Sequence, residues 1–290
     1  MRLPAFLTAM TRRFMLPVLL LLGLAALRPG WAATASPLAF GVLPSLTAKQ
    51  IVEIYRPLAD ALERQLKRQV VIYTARDFKT FVAHTRQGKY DMVLTAPHLA
   101  WLARQDAGYR PLLKYTRPVR GLLVVKSTSP FHKTENLRNH AIATADPLAV
   151  SVMAMQAELA AHGFKRNLDY QTTDSGSHIN AVMQVIHGRA DAAMLGVHPY
   201  NLMPADLRSQ LRVLAETPPL SSQMVLTHPR LNDAEAQAIR RALLDFAATP
   251  EGQTFMQRGG FGGFSQVDGS EIRAFRRYAL QAQEMLQDAR

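Results

Sequence analysis

A short pattern occurs twice in this 290-residue chain. Gly88-Lys89-Tyr90-Asp91 leads into an apolar stretch and then His98, and Gly188-Arg189-Ala190-Asp191 leads into a second apolar stretch and then His198. An amphipathic helical pattern precedes each copy, so each predicts a helix, a glycine C-cap, a short buried strand and a loop. The repeat therefore predicts two similar α/β lobes; the alternative is chance recurrence, because such junctions are common.

The order of the predicted elements supports the lobes. Strand and helix patterns alternate between residues 38 and 115, which predicts a parallel sheet with helices on both faces. Gly121–Lys126 is an apolar strand with no helix before it, and we interpret it as a crossover into the second lobe. Strand patterns on either side of Thr217-Pro218-Pro219 predict that the chain returns there from the second lobe to the first. Ligands of open α/β sheets lie beyond the carboxyl ends of the strands, so facing lobes would share one cleft.

We expect three parts of the chain: residues 1–35 as a signal peptide, 36–120 with 222–290 as lobe I, and 121–221 as lobe II. The expected fold class is α/β. Near the C-terminus, Gly259 to Phe264 predicts a flexible loop, and Ser270 to Ala289 predicts one long charged helix on the outside of the protein.

Residues 1–35 have the pattern of a secretory signal. Three arginines precede an apolar stretch at 14–27, and small residues follow at 32–35. The apolar stretch is shorter than the roughly 20 residues of a spanning helix. We therefore expect export to the bacterial periplasm by the Sec or the twin-arginine route, with no membrane insertion of the mature chain. Because the chain has no cysteine, we expect neither a lipid anchor nor disulfides.

The charge of residues 36–290 is compatible with a small anionic ligand. The whole chain has 34 Lys plus Arg and 22 Asp plus Glu, and the signal-like segment carries four of the basic residues and none of the acidic ones. The remaining net charge is therefore +8. Nucleic acid is a poor partner for an exported protein, and the basic residues are dispersed along the chain.

Several motifs, in their order along the chain, resemble the periplasmic binding proteins of phosphate, phosphite and phosphonate ABC transporters. The resemblance covers roughly residues 40–260, and its carriers are Phe40-Gly41-Val42, Arg56 to Leu62, Gly88-x-x-Asp91 with Ala96-Pro97-His98, Ser175-Gly176-Ser177-His178 with Ala181-Val182, Gly188-x-x-Asp191-Ala192 and Thr217-Pro218-Pro219. It implies a type II periplasmic binding protein fold, in which two Rossmann-like lobes, joined by two crossover strands, close on a small oxyanion without a cofactor.

The candidate ligand-binding residues lie at predicted helix starts. Helix N-termini bind anions because their first N–H groups are free and the positive end of the helix dipole lies there. Hydroxyl and imidazole groups add donors. The candidates are Thr95, Ala96, His98, Ser151, Ser175, Ser177, His178 and His198, with Tyr55 and Arg120 as further candidates. The alternatives are ordinary capping for the serines and Thr95, core packing for Tyr55, and a surface role for Arg120.

Three features depart from the family pattern, and one of them is that a ligand tyrosine common in relatives aligns near Ala100. Relatives commonly have a Ser/Thr-rich loop where this chain has Asp146-Pro147-Leu148-Ala149-Val150-Ser151, and Asp146 would repel an anion if it pointed inward. The position that carries an acid for aminophosphonates aligns near Gly196, which disfavours 2-aminoethylphosphonate.

The leading hypothesis is a monomeric periplasmic solute-binding protein that passes a small oxyanion to an inner-membrane ABC permease. A second hypothesis is a ligand-sensing or scaffold module for a membrane sensor kinase, and a third is an enzyme on the same fold. Against the enzyme, the chain has no cysteine nucleophile, no G-x-S-x-G and no metal-ligand spacing. We therefore expect no catalysis and no metal site.

Overall fold

The computed structural model describes residues 36–288, so the signal-like segment and the predictions about it lie outside the described residues. The strands of the described part are β1 (Leu38–Val42), β2 (Val70–Tyr73), β3 (Met92–Thr95), β4 (Arg110–Tyr115), β5 (Gly121–Lys126), β6 (His140–Thr144), β7 (Tyr170–Asp174), β8 (Ala192–Gly196), β9 (Leu211–Glu216), β10 (Met224–Thr227) and β11 (Phe264–Ser265).

The helices of the described part are α1 (Ala48–Leu66), α2 (Phe78–Arg86), α3 (Pro97–Ala107), α4 (Val150–Ala161), α5 (His178–Ile186), α6 (Val197–Asn201), α7 (Ala205–Arg208), α8 (Asp233–Ala248), α9 (Pro250–Gly259), α10 (Gly269–Ala274) and α11 (Arg276–Asp288), with a 3-10 turn at Thr134–Leu137. Of the helices within residues 36–288, none combines the length and the apolar composition of a membrane span.

The strands form two sheets of matching design. The first sheet has the order β2-β1-β3-β10-β4-β11, and the second has the order β7-β6-β8-β5-β9. In each sheet three parallel strands are followed by one antiparallel strand, which is β10 in the first and β5 in the second. The sheets are therefore mixed where the sequence predicted parallel ones, because each receives one strand that enters from the connection between the lobes. The predicted two-lobed α/β fold is confirmed.

Two short paired segments join the sheets. Val119 and Leu220 exchange both main-chain hydrogen bonds, at 3.1 and 2.8 Å. Gly121–Lys126, interpreted from sequence as the crossover, is strand β5 of the second sheet, and the residues just before it make the crossing. A pair of short connections of this kind suits hinge closure of two lobes.

The repeated sequence pattern has one structural role in both sheets. Gly88 and Gly188 end helices α2 and α5 with φ of 64° and 70°. The aspartate three residues later accepts a hydrogen bond from the main chain of the neighbouring strand: Ala39 N donates to Asp91 Oδ2 at 2.8 Å, and Ala141 N donates to Asp191 Oδ2 at 3.0 Å. Each aspartate thus fixes the start of a parallel strand pair.

The C-terminal region differs from its prediction. The expected single helix is two helices, α10 and α11, and Phe275 lies between them. These helices pack against α3 through one face, where Ile272, Phe275, Ala279 and Ala282 are buried in the same hydrophobic cluster as residues of α3. Charged residues between these positions make the buried apolar face of the helices hard to recognise in the sequence.

The glycine-rich segment after α9 is anchored to the connection between the sheets. Arg117 N donates to Phe261 O at 3.0 Å, and Thr116 N donates to Gly263 O at 3.0 Å. Phe261 itself is buried. Helix α9, which ends at Gly259, has no counterpart among the predicted elements.

We predict that Asp91→Ala lowers the free energy of unfolding by about 3 kcal/mol and Asp191→Ala by about 1 kcal/mol. Both variants leave a strand N–H without its acceptor, but the Asp91 carboxylate is buried and also pairs with Arg230 at 3.4 Å, whereas the Asp191 side chain is 39% exposed. Urea unfolding of residues 36–290 measures both values. Asp91→Asn, which keeps an acceptor oxygen, is the control, and equal losses at the two positions would contradict this account.

Candidate functional site

A cavity of about 490 Å³ lies between the two sheets and is lined by residues of both. The starts of four helices of nine or more residues border it, and the five-residue helix α6 also begins there. Phe78 begins α2, Ala96 precedes α3, Val150 begins α4 and His178 begins α5, and all four residues line the cavity. The carboxyl ends of the strands that precede these helices therefore face a common space, as the rule for open α/β sheets requires.

Two of these four helices lack a side-chain cap. Asp77 caps α2 and Ser177 caps α5, each through a hydrogen bond to the N–H three residues later. The N-cap residues of α3 and α4 are Ala96 and Ala149, and within residues 36–288 no side chain caps either helix. Alanine at this position costs about 0.5–2 kcal/mol relative to serine or aspartate. An anion in the cavity would supply the acceptor that these two helix starts lack.

Gly121 allows α4 to lie at the cavity. A Cβ on Gly121 would be 2.3 Å from the main-chain oxygen of Ser151, so only glycine permits this approach of strand β5 to the first turn of α4. The hydroxyl of Thr217 accepts a hydrogen bond from Gly121 N at 2.9 Å and fixes the strand. The position of the first N–H groups of α4 is thus set by the connection between the sheets.

His178 presents a fixed donor to the cavity. Its Nδ1 lies 3.3 Å from the main-chain N of Gly196, and because a backbone N–H can only donate, Nδ1 accepts and carries no proton. Burial, with His198 close by, lowers the pKa of His178 to about 3. The neutral ring therefore carries its proton on Nε2, which suits hydrogen bonding to an oxyanion.

His98 connects the two helix starts. Its Nε2 lies 3.0 Å from the main-chain oxygen of Leu148 and must donate to it, so α3 is tied to the loop that precedes α4. The ring is fully buried, and burial lowers the pKa of His98 to about 4. His98 does not line the cavity.

Asp146 does not face the cavity. Its carboxylate accepts a hydrogen bond from Leu148 N at 2.7 Å, and the residue is absent from the cavity lining. Burial raises the pKa of Asp146 to about 6. Its own loop and the main chain of Phe78, at the start of α2, hold the carboxylate outside the cavity lining.

The charged lining of the cavity is positive. Three arginines and one glutamate contribute to it: Arg117, Arg120, Arg258 and Glu216. Arg120 pairs with Glu216 at 3.1 Å, whereas Arg117 and Arg258 form no ion pair within residues 36–288. Burial and the nearby Arg117 lower the pKa of His198 to about 4. With both imidazoles neutral, the lining carries two net positive charges, which favours an anion.

Half of the sequence-predicted site residues line the cavity: Ala96, Ser151, His178, His198 and Arg120. The others lie elsewhere. Thr95 is buried beneath α2 and α3, Ser177 caps α5, and Ser175 precedes that cap. Tyr55 packs edge-on against Phe40 within the hydrophobic core.

The lining residues that the sequence analysis did not single out include Tyr115, Arg258 and Phe261. Tyr115 ends strand β4 and is buried, so the strand pattern did not mark it as a cavity residue. Arg258 and Phe261 belong to α9 and the segment after it, where no helix was predicted, and the run of glycines was the available signal. Within residues 36–288, no group of three or more His, Cys, Asp or Glu side chains is arranged to hold a metal ion.

Residues 40–272 match the family described as "ABC transporter, phosphonate, periplasmic substrate-binding protein". The match covers well over half of the chain, so the protein belongs to this family of substrate-binding components of phosphonate ABC transporters. The resemblance inferred from the sequence is thereby confirmed.

Solved structures share the fold. A binding-protein component of an ABC phosphonate transporter from Pseudomonas aeruginosa is 17% identical, with a TM-score of 0.77 over 86% of this chain and 87% of that one. PhnD1 from Prochlorococcus marinus, solved with methylphosphonate, is 15% identical, with a TM-score of 0.77 over 86% and 98%. A Xanthomonas citri protein solved with ATP is 22% identical, with a TM-score of 0.68 over 88% and 99%.

We predict that the free energy of unfolding falls as the pH drops from 7 to 5, by about 2 kcal/mol for each of His98, His178 and His198. Burial lowers the pKa of all three rings in the folded state, whereas the unfolded chain takes up these protons below about pH 6.5. Asp146 acts in the opposite direction, because its pKa is raised to about 6, and it offsets about 1 kcal/mol of this loss.

Urea unfolding at pH 7 and pH 5 measures this dependence. His98→Gln keeps a donor toward Leu148 but does not titrate. Its free energy of unfolding should therefore fall between pH 7 and pH 5 by about 2 kcal/mol less than that of the unsubstituted chain. A loss in His98→Gln as large as in the unsubstituted chain would show that His98 is not buried in its neutral form.

Proposed function

We propose that this protein captures a small phosphorus oxyanion, of the phosphate, phosphite or phosphonate type, in the cavity between its lobes. The observation that carries the proposal is the pair of uncapped helix starts, at Ala96 and Ala149, that border the same positively lined cavity. The Nε2–H of His178 and the hydroxyl of Ser151 supply side-chain donors beside them. The bound methylphosphonate of the similar Prochlorococcus marinus protein supports this ligand class.

In this proposal the lobes comprise residues 36–120 with 222–290 and residues 121–221, and they close on the ligand about the paired connections at Val119 and Leu220. The ligand exchanges its hydration shell for the free N–H groups of α3 and α4. His198 and Arg120 line the same cavity. The predicted roles of Thr95, Ser175, Ser177 and Tyr55 would have to be indirect, through capping or packing, and His98 would act by tying α3 to the loop before α4.

The family match supports a role in transport. We propose that the mature chain works in the periplasm after export, as a monomer, and delivers its ligand to an inner-membrane ABC permease without chemical conversion. A ligand-sensing role for a membrane sensor kinase is the alternative, and it is favoured by the loss of hydroxyl donors at Ala149 and Val150. The same cavity and closure would serve either partner.

We predict that Val150→Pro weakens binding of methylphosphonate by about 10- to 100-fold, as expected for the loss of one hydrogen bond to a charged group. Val150 is the first residue of α4, where proline fits the helix and removes only an N–H that has no partner within the helix. Ala149 already has the extended conformation that a residue before proline adopts, with φ −72° and ψ 123°. Isothermal titration calorimetry on residues 36–290 measures the change.

Val150→Ala is the matched control, because it removes the side chain and retains the N–H. We expect it to bind methylphosphonate within about threefold of the unsubstituted chain, and both variants to unfold at similar urea concentrations. Equal affinity of Val150→Pro and Val150→Ala would contradict the role of this N–H. If phosphate, phosphite and methylphosphonate all fail to bind the unsubstituted chain, the proposed function itself is wrong.

A further inference from the structure

We propose that the oxyanion ligand carries an apolar organic substituent of about the size of a ring, which lies along an aromatic wall of the cavity. This inference rests on the proposed function and names the ligand more narrowly. The cavity of about 490 Å³ is much larger than a bare oxyanion needs, since a water molecule takes about 30 Å³ in the liquid. Its volume lies within the range of about 300–1,000 Å³ that is typical of pockets for larger organic ligands.

The volume does not come from lobes that stand apart. His98 on α3 donates to the main chain of Leu148, so the two lobes are in hydrogen-bonded contact beside the cavity. The connections also touch, through the paired main chains of Val119 and Leu220. The lobes are therefore already in contact in this structure, and the cavity between them is the space that a ligand would have to fill.

Two groups of lining residues differ in chemistry. The first comprises the start of α4, the hydroxyl of Ser151 and the imidazole of His178, which meet at Gly196: its N bonds the imidazole, and a Cβ there would lie 3.4 Å from that hydroxyl. These donors suit an oxyanion.

The second group is an aromatic wall, which we define as Tyr115, His198 and Phe261. It adjoins the first group, because His198 is close to His178, and Arg117 lies beside it. The rings of Tyr115 and Phe261 stack with centroids 4.2 Å apart and planes 8° apart, and the His198 ring lies 5.2 Å from Phe261. All three residues line the cavity. Apolar side chains extend this surface: Leu43, Val119, Val197 and Leu202. Stacked rings beside aliphatic side chains suit a flat apolar group.

The backbone holds this wall in place. A Cβ on Gly259 would lie 1.9 Å from the ring of Phe261, so the ring packs directly on the chain at a position only glycine allows. Gly260 has φ of 65°, and the main-chain oxygen of Phe261 accepts from Arg117 N. The wall is therefore a fixed surface, and a substituent that matches it binds without rearrangement.

Calorimetry with phosphate, methylphosphonate and phenylphosphonate tests this inference on residues 36–290. We expect phenylphosphonate to bind at least tenfold more tightly than methylphosphonate, because its ring leaves water for the aromatic wall. Equal or weaker binding of phenylphosphonate would overturn the inference and leave the proposed function intact. No binding of any of the three would instead contradict the proposed function.

A space-filling variant locates the substituent. Val197 is partly exposed and lines the cavity, so Val197→Phe should cancel most of the preference for phenylphosphonate and leave methylphosphonate binding within about threefold. Val213→Phe, at an exposed position on β9 that does not line the cavity, is the matched control and should keep the preference. A preference that survives in Val197→Phe would show that the substituent does not lie along this wall.

Discussion

The site depends on one hydrogen bond between the lobes, from Nε2 of His98 to the main-chain oxygen of Leu148. It ties the start of α3 to the loop that leads into α4, and these are the two helices near the cavity whose N-caps are alanines. Within residues 36–288, no side chain caps either helix start, so the first N–H groups of both helices lie at one cavity without a side-chain acceptor. In the proposed function, the main chain would supply most of the donors to the ligand.

The framework that presents these helices was largely predictable. The repeated Gly-x-x-Asp pattern marks a helix end, a left-handed glycine and a strand anchor, and Asp91 and Asp191 make the same bond in the two sheets. The antiparallel strands were not predictable in the same way, because the pairing of β5 and β10 depends on contacts between distant parts of the chain. The stripe that buries Phe275 was hidden for a related reason: its partner is α3, more than 150 residues earlier.

For the site, the sequence correctly predicted cavity-lining residues where the side chain lies at the start of its own helix. His178 and Ser151 follow this rule, and both line the cavity. Thr95 does not, because strand alternation turns its side chain under α2 and α3 rather than into the cleft. Arg117, Arg258 and Phe261 come to the cavity through the connections and the glycine-rich segment, so only the folded chain shows their proximity to the helix starts.

The most direct test of the central claim is an NMR titration of isotope-labelled residues 36–290 with methylphosphonate, following the backbone amides. If the uncapped helix starts hold the anion, the amide protons of Val150, Ser151 and Leu99 should move downfield in proportion to occupancy, as N–H groups do when they donate to a charged acceptor. The amides of the capped helices, such as Thr80 and Asn180, should move little. Saturable binding that leaves Val150, Ser151 and Leu99 unmoved would contradict the account.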